Sequence, residues 1–270
     1  MPQEGAQAGF HQPTLNYGSS EGTARTAWTP RQFGRMQAAE LREVSQHPAG
    51  TPANDDNRKR KVREYTLGEE IANSISHGIG ALLSIAAMVL CIVFSVRDGG
   101  GVLLASALIY SITMFLEYLM STLYHAISAS AAKRVFKVLD HSCIYLFIAG
   151  SYTPFCLVTM AGMGGMKLGV FVWVVAIVGV AMEAFWVYRP RWVSAIIYLL
   201  LGWAVLWYIP VLIHLIPTTG FVLMLVGGLC YTVGCIFYVL KKIPYMHTVF
   251  HLFILAGSIF QFFPILIYVL

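Results

Sequence analysis

The chain has 270 residues, of which 57% are hydrophobic and only 11% charged, against roughly 25% charged in an ordinary soluble domain. That composition excludes a soluble globular surface. The net charge of +5 is concentrated near the N-terminus and in short clusters between apolar runs, and with no broad basic face it gives no argument for nucleic-acid binding.

Residues 1–64 read as a polar tail rich in Gly, Pro, Gln, Ser, Thr and Ala, without the apolar stretch of a signal peptide. Too little apolar surface is available to offset the entropy of ordering, so the tail is expected to be disordered. Its closing cluster, Arg58-Lys59-Arg60-Lys61-Val62-Arg63, reads as a topology signal that can also touch anionic lipid headgroups. Residues 65–270 form the second domain, an all-α transmembrane bundle.

A bilayer core of about 30 Å needs roughly 20 apolar helical residues. Seven segments qualify, at about 73–96, 101–127, 138–160, 167–188, 192–215, 219–240 and 245–270. Gly99-Gly100-Gly101, Gly162 to Gly165, Arg189-Pro190-Arg191 and Pro217-Thr218-Thr219-Gly220 punctuate them. The fifth is the least regular, because Pro210 precedes the break at Pro217. Alternate loops carry Lys133, Arg134, Lys137, Arg189, Arg191, Lys241 and Lys242, whereas the opposite side holds only Arg97 and Lys167. The positive-inside rule then predicts a cytoplasmic N-terminus and, after seven crossings, an outside C-terminus. The plasma membrane is the expected location, with an internal membrane as the alternative. The five cysteines all fall in apolar segments without a C-x-x-C pair, and read as small buried residues.

Ionisable groups within the spans are the informative ones, since each is costly in hydrocarbon. On the predicted topology, Ser121 and His125 end the second span, Asp140 and His141 begin the third, and His247 and His251 begin the seventh. All reach the cytoplasmic end. His247 and His251, at i and i+4, share one helical face within reach of a single ion. His125 completes a three-histidine set with a fourth position open to water. Asp140 is suited either to accept a hydrogen bond from that water or to act as its general base, and Ser121 to bind the water or orient a carbonyl. The bland reading is a set of hydrated interfacial histidines; the shared depth of His125 and Asp140 weighs against it. Glu117, on the same face as Ser121, is a candidate to support the ligands from behind or relay a proton, or else packs against a hydroxyl. Glu70, Asn73 and His77 read as groups that cap or brace the bundle.

Glu70-Ile-Ala-Asn73-Ser-Ile-Ser76-His77-Gly78-Ile-Gly80 resembles the opening motif of the hemolysin III family, within the progestin and adipoQ receptor group. Ser121-Thr-Leu-Tyr124-His125 resembles its second motif. The longest match is Leu139-Asp140-His141-Ser-Cys-Ile-Tyr-Leu-Phe-Ile-Ala-Gly150-Ser-Tyr-Thr-Pro154-Phe155, and His247-Thr-Val-Phe-His251-Leu-Phe-Ile-Leu-Ala-Gly257-Ser258 resembles the closing motif. The resemblance implies a zinc ion on His125, His247 and His251, with Asp140 and Ser121 holding the zinc water. Its superfamily includes adiponectin receptors and alkaline ceramidases, which implies membrane lipids as substrate or ligand. Gln261 departs from the family pattern, which speaks against an outer polar site and leaves the zinc motif intact. Three functions follow: a zinc-dependent hydrolase of lipid amides, a receptor or lipid-stress sensor with a structural zinc, and a pore. The pore ranks last, because no continuous polar stripe runs along several spans.

Overall fold

Hydrocarbon offers no partner to a backbone N–H or C=O, so an apolar run that crosses it must satisfy those groups within a helix. The computed structural model describes residues 65–240 and 242–270, and the regular structure among them is all helical. The helices are α1 (Leu67–Asp98), α2 (Gly101–Ala126), α3 (Ser130–Pro154), α4 (Gly165–Trp186), α5 (Arg191–Gly202), α6 (Ile209–Leu215), α7 (Thr218–Val239) and α8 (Met246–Tyr268). A π-helical turn, Phe155–Thr159, continues α3, and a 3₁₀ turn, Ala204–Tyr208, joins α5 to α6. The result is seven spans long and apolar enough to cross a membrane. The predicted tail with its basic cluster, and Lys241, lie outside the described residues.

The first and third spans begin earlier than the apolar pattern predicts, because their first turns are polar and still helical. Thr66 and Glu69 form a capping box at the start of α1: the Glu69 amide donates to Thr66 Oγ1, and the Thr66 amide donates to the Glu69 carboxylate. His77 therefore lies about three turns into the helix rather than at its start. Likewise α3 starts at Ser130, so Lys133, Arg134 and Lys137 are helical residues rather than loop residues, and Asp140 and His141 fall in its third turn. Pro244 lies outside α8, whose N-cap is Tyr245 with φ of 61°. A non-glycine residue in this left-handed region is unusual. The Tyr245 amide donates to Glu69 Oε1 at 2.9 Å, tying the start of α8 to the start of α1.

The fifth span breaks for a stated reason. Pro210 has no N–H, and its ring excludes an α-helical carbonyl four residues earlier, at Leu206. The chain tightens to 3₁₀ over Ala204–Tyr208, and α6 restarts with Pro210 in its first turn. Tyr152 of α3 serves the backbone groups freed there: its hydroxyl donates to the Leu201 and Gly202 carbonyls (3.1 and 2.5 Å) and accepts from the Val205 amide (3.1 Å).

The third span is the central one. Of its most apolar window 61% is buried, against 22% for each of the fifth and sixth. Close approach needs small residues: a Cβ on Gly179 of α4 would stand 2.5 Å from the Tyr145 ring of α3, and one on Gly257 of α8 would stand 2.5 Å from the Tyr231 ring of α7. Trp186, Trp192 and Trp207 are exposed, as an interfacial belt requires. Trp173 and Trp203 are turned inward instead, and their indole N–H groups donate to Thr153 and Thr232 on neighbouring spans. The five cysteines are free thiols, as the sequence predicts.

Glu183 of α4 is fully buried, and pairs with the buried Arg189 just beyond the same helix. Arg189 also donates to the Tyr145 hydroxyl (3.0 Å), and the Tyr198 hydroxyl of α5 faces Glu183 Oε1 at 3.4 Å. Burial disfavours the guanidinium charge, but Glu183, Tyr145 and Tyr198 outweigh it and hold the Arg189 pKa above its ordinary value. Removing one member of such a pair strands the other charge, at about 3–5 kcal/mol, whereas replacing both with apolar groups is often tolerated. Glu183→Leu is therefore expected to lower the thermal midpoint of the detergent-solubilised protein sharply, and Glu183→Leu/Arg189→Met to recover most of the loss. A single variant as stable as the parent would contradict the packing role.

Candidate metal centre

Short connections make successive spans antiparallel, so α1, α3, α5 and α8 begin, and α2, α4 and α7 end, at one end of the bundle. His125 in the last turn of α2 and His247 and His251 in the first turns of α8 meet there. All three are buried, and one nitrogen from each lies within 4.8 Å of the others. Their ring centroids stand 4.6 to 5.3 Å apart.

Most of the braces that orient these rings come from α1, whose Glu70, Asn73, Ser76 and His77 recur at three to four residues and share one face. The His125 Nδ1–H donates to Glu70 Oε2 at 2.7 Å, and Glu70 Oε1 lies 2.8 Å from Lys133 Nζ of α3. Lys133 further donates to the carbonyls of Tyr124 and Ile127 at the end of α2 (2.9 and 3.3 Å). The His251 Nδ1–H donates to the Asn73 carbonyl at 3.2 Å, with Ser76 Oγ at 3.1 Å. The Asn73 side chain in turn accepts from Thr248 Oγ1 of α8 at 2.6 Å. His77 stacks on His251 with centroids 3.5 Å apart and packs edge-on to Tyr118. Tyr65 stacks on His247 at 4.9 Å.

The donors fit a metal ion. His125 Nε2 and His247 Nδ1 are buried nitrogens with no hydrogen-bond partner, an arrangement that costs free energy unless something else accepts their lone pairs. With Nδ1 of His125 engaged by a carboxylate and Nδ1 of His251 by a carbonyl, the tautomer that leaves Nε2 basic is favoured in both, the pattern of histidine ligands in metal sites. Three neutral imidazoles suit zinc or another borderline transition metal.

Each residue expected from the sequence is at this end or next to it. Asp140 is buried, within electrostatic reach of His125 and His251, and its Oδ2 stands 3.1 Å from His141 Nδ1. It lies outside the group of three possible ligands. Ser121 is buried one turn before His125. Glu117 is buried two turns before His125, within electrostatic reach of Asp140, and lines an apolar cavity. Glu70, Asn73 and His77 brace the rings. Lys133, Ser76 and Tyr65 were missed. For Lys133 the signal was present: Lys133, Lys137 and Asp140 recur at i, i+4 and i+7 along one helical face.

A helical multi-pass membrane protein with a buried three-histidine cluster at one end of its bundle is the class that the fold and the site define. The chain belongs to the haemolysin-III-related family, whose model matches residues 65–262. It is 43% identical to Hemolysin-3 of Bacillus cereus over 202 residues, 75% of this chain and 92% of that one. It is also 43% identical to the Hemolysin-3 homolog of Bacillus subtilis (strain 168) over 204 residues, 76% of this chain and 96% of the relative. A more distant relative is the human monocyte to macrophage differentiation factor, 26% identical over 168 residues, 59% and 68% of the two chains.

Partners that orient a ligating histidine typically account for about 10- to 100-fold in metal affinity. Glu70→Gln keeps the shape of the brace but removes its charge, and should lower zinc affinity about tenfold or more in competition with a chromophoric chelator. Unchanged affinity would show that Glu70 does not tune the site.

Proposed function

We propose that the protein is a zinc-dependent intramembrane hydrolase of lipid amide bonds, with zinc held by His125, His247 and His251. The observation that carries this reading is the three-histidine donor set, with the buried Asp140 carboxylate nearby and a mainly apolar cavity of about 160 Å³ next to it. Phe250 forms the common wall: it lines the cavity, and its ring lies 5.3 and 5.7 Å from His247 and His251. The cavity extends between α3, the broken fifth span and α7, lined by Phe147, Tyr152, Met224 and Tyr231 among others. Such a volume suits part of an acyl chain.

Zinc held by His125, His247 and His251 would supply Lewis-acid polarisation of a carbonyl and a water whose pKa falls toward about 7. Asp140 takes the proton shed by the water as its oxygen bonds to the amide carbon. The same carboxyl group returns the proton to the leaving nitrogen as the C–N bond breaks, giving a carboxylic acid and an amine. Ser121 donates its hydroxyl to the carbonyl oxygen, and Glu117 supports proton transfer from the cavity side. The loop charges support a cytoplasmic position for this end of the bundle, so that a lipid would enter from the inner leaflet. The plasma membrane remains the expected location.

A receptor or lipid-stress sensor with a structural zinc is the second reading. It is favoured by the division of the three donors between two helices, His125 on α2 and His247 and His251 on α8, which a bound ion would join. A pore is the weakest reading. The hydroxyls of Ser84, Ser95, Ser106, Ser111 and Thr113 are buried and all donate to carbonyls of their own helices, which gives a pore no support.

A general base typically contributes about 10²- to 10⁴-fold. Asp140→Asn should reduce hydrolysis of a fluorogenic N-acyl lipid by at least about 100-fold while zinc content and melting temperature are retained. Full turnover by that variant would remove Asp140 from the chemistry. Zinc chelation followed by readdition should abolish and then restore the activity of the parent. An inert, zinc-loaded parent whose melting temperature falls on chelation would favour the structural-zinc reading instead.

A further inference from the structure

The mainly apolar cavity beside the histidines has one acidic residue in its wall, and that residue lacks a hydrogen-bond partner. Glu117 of α2 is 4% exposed, and its Oε2 is buried with nothing to donate to it. Among the described residues it is the only one that α2 contributes to the wall, and the only wall residue with a buried side-chain atom in that condition. Asp140 near the histidines, and Tyr231 in the α7 part of the wall, both lie within electrostatic reach of it.

Other polar side chains of the wall are already engaged. Ser151 and Thr232 donate to carbonyls of their own helices, at 2.8 Å each. Tyr152 donates to the carbonyls at the break in the fifth span, and the Gln261 amide to the Met224 carbonyl at 3.0 Å. Tyr231 shares a hydrogen bond with Ser258 of α8. A buried oxygen without a donor is costly in apolar surroundings. An occupant that brings a donor to Glu117 therefore gains what a plain hydrocarbon chain does not.

We propose that Glu117 selects an acyl chain that carries a hydroxyl group part-way along its length. Depth sets the position of that hydroxyl. Glu117 precedes His125 on α2 by two turns, about 12 Å along the helix axis. A chain with its head at the histidine end of the cavity reaches Glu117 with its middle carbons. The donor is a hydroxyl because an ammonium brings three N–H groups and a full charge, which a mainly apolar wall does not satisfy. A hydroxyl brings one. The inference rests on the reading of the cavity as the seat of an acyl chain, and not on hydrolysis.

The test uses the full chain, purified in a neutral maltoside detergent and titrated by calorimetry. The ligands are octadecanoic acid, its isomer series hydroxylated in mid-chain, and the isomer hydroxylated beside the carboxyl group. A hydroxyl with no acceptor makes a chain more at home in water and weakens its burial. A mid-chain hydroxyl that meets Glu117 should instead tighten binding about tenfold over octadecanoic acid, and the isomer hydroxylated beside the carboxyl group should show no such gain. Glu117→Met should erase the preference while octadecanoic acid binds as before. Glu117→Gln, whose amide oxygen still accepts, should keep it. Met224→Trp, which fills the cavity, should abolish binding of every acid, and retained binding would place the acids elsewhere and overturn the proposal. If no acid binds the parent, the cavity is not an acyl-chain seat and the proposal falls with it. Octadecanoic acid bound as tightly as every mid-chain isomer, or an unchanged preference in Glu117→Met, would overturn the proposal alone. The comparison of isomers on the parent decides even where a variant does not fold.

Discussion

Glu70 stands where three helices meet. From α1 its carboxylate accepts the Nδ1–H of His125 on α2 and faces the ammonium of Lys133 on α3, which itself holds the carbonyls that end α2. A carboxylate and an ammonium removed from water at a membrane protein's interior are each costly alone. They are tolerable here because each is the other's partner, and because the histidine uses the remaining oxygen. The geometry of the three-histidine cluster follows from this arrangement. With the Nδ1 position of His125 committed, Nε2 becomes the free donor, and the same logic on Asn73 fixes His251.

The same end of the bundle concentrates several unusual features. Tyr245 adopts a left-handed backbone conformation held by Glu69, which brings α8 in with His247 and His251 facing α1. Such a conformation costs on the order of 1 kcal/mol or more and persists only where its surroundings determine it. Away from this end, the hydroxyls of Ser84, Ser111, Thr153 and Thr232 donate to carbonyls of their own helices, and small residues let spans approach. The third span, as the central and most buried, carries residues that serve both ends: Lys133 and Asp140 near the histidines, and Tyr152 at the break in the fifth span.

Span number and the three histidines were legible from sequence because both rest on periodicity. Apolar runs of about 20 residues and an i, i+4 histidine pair need no tertiary knowledge. Loop charges, alternating along the chain, then brought His125 and Asp140 to the same depth. What escaped detection was the polar start of a membrane helix. An apolar window sees Lys133 and Lys137 as loop residues, yet the helix runs on through both, with Lys133 paired to Glu70. Glu183 shows the same limit, since a charge near a span's end reads as interfacial until its partner Arg189 is seen. The breadth of the α1 brace was only partly visible: Glu70, Asn73 and His77 were singled out, but the part of Ser76 depends on a backbone carbonyl, which no sequence displays.

The central claim is that His125, His247 and His251 hold a metal ion by means of these braces. Metal analysis of the purified protein, beside a His247→Ala/His251→Ala variant, tests it most directly. The account predicts about one zinc per chain in the parent and none above background in the variant. A parent purified without chelators that holds no zinc and takes up none on addition would contradict it.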